Sequence, residues 1–229
     1  MATSGTATWS PSLSEIFQEA YDRAGLPFQS GYDWVSAKRS FNLLAAEFAN
    51  RGLNMWTFDS ENTPLVAGTA TITLPLDTVD ILDCSIRLNN ANATSQTDLV
   101  IERISLSTYQ QQPNKLVQGQ PTQYCVQRLT VGPTLTLWPV PDSSQTYYLN
   151  YTRMRRIEDA GAFNTTMDAP FRFYDAIIAG LAYRVAQKNV KSMVLVPQLK
   201  AIYDEALELA QSEDRDRSSV MLIPWVGRY

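Results

Sequence analysis

Apolar residues recur along this chain with two periods, and the switch between them separates helical ends from a β centre. Leu13, Ile16, Phe17, Ala20 and Ala24 fall on one face at helical spacing. Ser12 and Glu15 have the spacing of a capping box, and Gly25 and Pro27 follow in the order that ends a helix. A second stripe, Trp34, Ala37, Phe41, Leu44 and Phe48, begins after a candidate cap at Asp33 and stops at Gly52. Two amphipathic helices joined by a short link predict an αα-hairpin.

From Leu65 onward the pattern is β. Ala70–Leu74, Val79–Leu88 and Leu99–Ile104 predict strands, with a polar loop from Asn89 to Thr97 and a short helix between Ser105 and Gln112. Three runs rich in β-branched and aromatic residues follow: Gln123–Gln127, Thr134–Pro139 and Tyr147–Met154. The Gly132-Pro133 and Pro141-Asp142 breaks between them predict a three-stranded antiparallel meander. About six strands suffice for a small sandwich or an open barrel.

Helical spacing then returns. Asp168-Ala169-Pro170 opens a third helix with Tyr174, Ile177, Ile178, Leu181 and Val185 on its apolar face, and Asn189 can end it. Pro197 suits the first turn of a fourth helix, whose inner stripe reads Leu199, Ile202, Ala206 and Leu209. The predicted fold is α+β. N- and C-terminal helix pairs (12–56 and 168–217) form a four-helix bundle around an inserted antiparallel β module (57–167). An N-terminal arm (1–11) and an extended C-terminal tail (218–229) flank them.

Composition narrows the function classes. The chain has 229 residues, 45% of them hydrophobic, enough for a sizeable core. The net charge of −4 disfavours tight phosphate neutralisation but allows DNA to pass without sticking. No His is present, which removes the commonest general base and the His metal ligands. Cys84 and Cys125 sit in apolar strand-like runs and read as reduced, buried thiols. The start has no basic stretch leading into an apolar one, and no apolar run is long enough for a bilayer, so neither a signal peptide nor a membrane partner is expected.

Candidate chemistry is sparse. Nucleophile-elbow, phosphate-loop and zinc motifs are missing from the sequence, and no cofactor is implied. Glu15/Glu19, Asp204/Glu208 and Glu213-Asp214 have spacings that a polysaccharide hydrolase could use, but helix-surface solvation explains them as well. Trp138, Tyr147 and Tyr151 could serve a carbohydrate-binding β module as stacking platforms. Asp204, Glu205 and Glu208 face away from the fourth helix's inner stripe. They form either an ordinary wet face or, repeated around a ring, a DNA-channel face that repels polyanions. Arg153, Arg155 and Arg156 are the densest basic patch. They pair with Glu158, Asp159 or solvent, or they contact an acidic neighbouring subunit.

The C-terminal tail is the strongest anomaly. Val220, Met221, Leu222, Ile223, Trp225, Val226 and Tyr229 are apolar, with Pro224, Gly227 and Arg228 among them, and they show no helical period. Burying one large apolar side chain contributes about 1.5–3 kcal/mol, so the tail must fold back or be covered by another chain.

Several stretches together resemble the head-to-tail adaptor proteins of short-tailed bacteriophages. They are the run from Asn42 to Trp56, Val66–Thr69 through Leu74-Pro75, Gly119–Tyr124, Thr136–Pro141, Tyr203–Ala206 and Glu213–Arg217, in this order. The resemblance implies a virion structural protein without catalytic residues, in a ring of twelve copies docked below the portal protein. The ring would retain packaged double-stranded DNA without sequence-specific binding and would join a downstream nozzle or tube protein of the tail. It also implies that the C-terminal segment, with Arg228 among its apolar residues, reaches into the portal.

Overall fold

The computed structural model describes residues 5–214 apart from 7, 30, 52–54, 91 and 93. The tail, 218–229, lies outside the described residues. Among the described residues five α-helices and ten strands are arranged as a mixed α+β fold. Contacts divide the chain into two compact units, Met1–Leu44 with Ala160–Tyr229, and Ala45–Asp159. The first is helical and the second is β-rich.

The helical unit begins with α1, Leu13–Arg23. Ser12 caps it: its hydroxyl accepts from the Glu15 amide, and its own amide donates to the Glu15 carboxylate at 2.7 Å. Gly25 takes the left-handed conformation (φ 67°) that ends the helix, and the Leu26 amide returns to the Tyr21 carbonyl at 2.9 Å. α2, Gly31–Arg51, buries Ala37, Phe41, Leu44, Ala45 and Phe48. The predicted faces of α1 and α2 are therefore the buried ones, with Trp34 half-buried between Phe17 (4.8 Å) and Phe163 (4.7 Å).

α3 is the short helix Leu106–Gln110 of the β unit. α4, Tyr174–Ala186, follows a 3-10 turn at Phe171–Phe173 and differs from the predicted one-faced helix. Ala176, Ile177, Ile178, Ala179, Gly180, Leu181 and Ala182 are all buried, so α4 is enclosed by its neighbours instead of resting on them. A Cβ added at Gly180 would lie 2.7 Å from Tyr203 Cε2 and 3.0 Å from Leu44 Cδ1. Gly180 therefore sets the approach of α2 and of α5, Val196–Glu213, to α4. Gly180→Ala is expected to destabilise the chain by roughly 1–3 kcal/mol through overpacking, although Ala is the better helix former. Chemical unfolding measures this directly.

The inner face of α5 also differs from the predicted one. Leu199 and Ala206 are buried as expected, but Tyr203, Leu207 and Ala210 complete the stripe, while Ile202 (40% exposed) and Leu209 (64%) point outward. Both stripes fit a 3.6-residue period. The choice was made by Tyr203, whose ring stacks on Tyr183 at 6.4 Å and fills the space Gly180 leaves open.

The β unit contains β1 (Phe58–Pro64), β2 (Thr71–Thr73), β3 (Thr78–Leu88), β4 (Thr97–Val100), β5 (Glu102–Arg103), β6 (Gln118–Gly119), β7 (Gln123–Leu129), β8 (Gly132–Trp138), β9 (Val140–Pro141) and β10 (Tyr147–Arg155). One sheet has the order β1-β10-β3-β4 and is antiparallel throughout. The other has the order β2-β8-β7-β5 with a parallel β5-β7 edge, and β6-β9 is a small parallel pair. Ile81, Cys84, Ile86, Tyr147, Leu149 and Tyr151 from the first sheet share one core with Tyr124, Leu135 and Leu137 from the second. The sheets therefore face each other as a sandwich, and neither closes into a barrel.

This topology corrects three expectations. The meander stops after two strands: β7 and β8 pair, but β10 lies in the opposite sheet between β1 and β3. Pro139 and Pro141 lack the amide a ladder requires, and the chain leaves the sheet there. The strand expected over Leu99–Ile104 is two strands that switch sheets at the buried Ile101. β1 was not foreseen, because Phe58-Asp-Ser-Glu-Asn-Thr-Pro64 carries no apolar alternation. It is an exposed edge strand held by pairing to β10.

Candidate assembly surfaces

The acidic residues of α5 lie on its exposed face. Asp204, Glu205 and Glu208 are exposed, and among the described residues none of the three forms a hydrogen bond or ion pair. They are interleaved with the outward Ile202 and Leu209. The outer face of α5 is thus two large apolar side chains flanked by three carboxylates.

The arginine patch is split by its own strand. β10 alternates inward and outward, and Tyr147, Leu149 and Tyr151 point inward, so Arg153 does too. Its guanidinium meets Asp77 at 2.8 Å, Thr78 Oγ1 at 3.2 Å and Asp59, its cross-strand partner, at 3.3 Å. Arg153 Nε lies 3.5 Å from Glu61, near enough for charge attraction but without hydrogen-bond geometry. Arg155 pairs with Asp59 at 3.1 Å. Arg156 alone directs its charge outward. The sequence carried this signal, since Arg153 continues the Tyr147/Leu149/Tyr151 alternation; its carboxylate partners come from strands far away in sequence.

A second basic cluster escaped sequence reading. The Lys188 ammonium, just beyond α4, donates to Ser40 Oγ at 2.6 Å and to Ser36 O and Oγ at 3.1 Å on α2. These bonds bring it beside Arg39, and Arg184 lies one turn back along α4. Burial, then the charges of Arg39 and Arg184, hold the Lys188 ammonium below the usual lysine range. Arg39 and Lys191 are exposed, and neither side chain has a hydrogen bond or ion pair among the described residues. Exposed Val190 (85%), Met193 (54%) and Val194 (88%) follow directly in the 3-10 turn Val190–Leu195. Only the fold joins residues 36–40 to 184–191, so no local motif announces the cluster.

Most groups a hydrolase would use are engaged elsewhere. Glu15 serves the capping box, whose Ser12 amide and hydroxyl hold its carboxylate below the usual range. Glu19 pairs with Arg23 at 2.9 Å, and Asp214 pairs with Arg172. Asp204 and Glu208 are open to water on the exposed face of α5. Of the three carbohydrate platforms, Tyr147 and Tyr151 are buried in the β core, and Trp138 donates its indole N–H to the Asn114 carbonyl at 3.1 Å. Cys84 and Cys125 are free and buried, and burial, with a smaller effect of Asp83, pushes the Cys84 thiol up to about 12, far from reactive thiolate. No described helix is long and apolar enough to cross a membrane.

The comparison with known proteins follows the same direction. No curated protein matches the chain at a significant level. A family model described as SU10 adaptor protein matches residues 11–224, which covers both units and reaches into the tail. The chain therefore belongs to the SU10 adaptor protein family, whose members are structural phage adaptors of the virion.

Proposed function

We propose that the chain forms the adaptor ring between head and tail, with twelve copies docked on the portal protein. The ring retains packaged DNA and presents a seat for the downstream nozzle or tube protein. The observation that carries this reading is the family match over residues 11–224. Three features support it. Charged and apolar side chains lie together on exposed faces of the helical unit, as a subunit that meets many neighbours needs. Arg156 offers an outward charge beside an internally neutralised pair of arginines. The tail from Val220 to Tyr229 has apolar area to bury. In this reading the helix pairs 12–56 and 168–217 form a bundle around the inserted β module 57–167, and residues 218–229 anchor in the portal.

Weak contacts repeated around a ring become strong together. The test is to mix the purified chain with portal particles and image them by electron microscopy. A closed ring of twelve on the portal is the expected result. A chain that stays monomeric beside the portal, or that cleaves cell-wall polysaccharide, overturns the reading.

A further inference from the structure

We infer that the outer face of α5 in one copy docks on the basic corner of α2 and α4 in the next. This rests on the ring reading and names the faces that close it. The α5 face carries Asp204, Glu205 and Glu208 around Ile202 and Leu209. The corner carries Arg39, Lys188 and Lys191 next to Val190, Met193 and Val194. Three carboxylates therefore face three cations, and each set has exposed apolar side chains to cover. Within one chain no ion pair joins the two sets among the described residues. Charges of opposite sign left unpaired on different elements are what a contact between two different patches needs. Such a head-to-tail contact generates a ring when its rotation closes.

The same observation decides between two uses of the acidic face. A wall along the DNA path gains from the carboxylates, but it leaves Ile202 and Leu209 in water at every copy. A subunit contact uses both. The three carboxylates are accordingly assigned to the contact, and the DNA path is lined by another surface of the ring.

The test is a charge exchange in the full-length chain on portal particles at low ionic strength. One variant carries Asp204→Lys, Glu205→Lys and Glu208→Lys. The other carries Arg39→Glu and Lys191→Glu, at exposed side chains with no hydrogen bond or ion pair among the described residues. Circular dichroism checks both. Each variant alone is expected to lose ring assembly at least tenfold. An equimolar mixture is expected to recover it, because alternating copies again oppose unlike charges at every contact. Wild-type-like assembly by either folded variant, or no recovery on mixing, overturns the inference and leaves the ring reading standing. Rings of the lysine variant that assemble normally and slow DNA passage instead return these residues to the channel wall. Failure of the wild-type chain to form any ring overturns the ring reading itself, and this contact falls with it.

Discussion

Phe41→Ala is expected to destabilise the chain by about 3–5 kcal/mol. Phe41 is 3% exposed, and its ring lies 6.1 Å from that of Phe17 on α1. Phe17 is fully buried and also meets Trp34, so an aromatic cluster joins the first two helices. Truncation removes a large apolar side chain and opens a cavity that these rigid neighbours fill poorly, so transfer and cavity contributions add. Urea unfolding should show a lower midpoint with an unchanged slope. A loss under about 1 kcal/mol would mean that Phe41 lies against water and that the α1–α2 face is misread.

Deletion of residues 219–229 is expected to abolish assembly on the portal while the melting temperature stays nearly unchanged. Seven of the last ten residues are apolar or aromatic. Ordering an extended segment costs about 1–2 kcal/mol per residue in backbone entropy, so large side chains are needed to offset it. Trp225 and Tyr229 supply the most area, and such residues dominate interfaces. Arg228 adds a charge that a portal carboxylate can pair with. Portal binding and thermal unfolding of the truncated chain, measured side by side, decide the matter. A truncated chain that unfolds or aggregates would place the tail in the subunit's own core.

The sequence by itself determined the helical period of α1 and α2, the cap of α1 and several of the breaks. The capping box at Ser12 and Glu15, the glycine stop at Gly25, the faces of α1 and α2, the short helix after Ser105 and the proline start of α5 were legible, because each depends on side chains within a few residues. The ordered run of family-like stretches was legible for the same reason, and the family match covers it. Tertiary structure decided wherever two local patterns were equally good or a partner lay far along the chain. α5 could turn either of two stripes inward, and Tyr203 against Gly180 settled which. β10 could have paired with β8, but its two free edges took β1 and β3. Arg153 looked like a surface charge until Asp59 and Asp77 were folded against it. The basic corner exists only because Lys188 reaches Ser36 and Ser40, which lie 152 and 148 residues away along the chain. Local spacing sets what a segment can be, whereas the choice of buried face and of ion partner is a competition among distant segments that only the packed chain resolves.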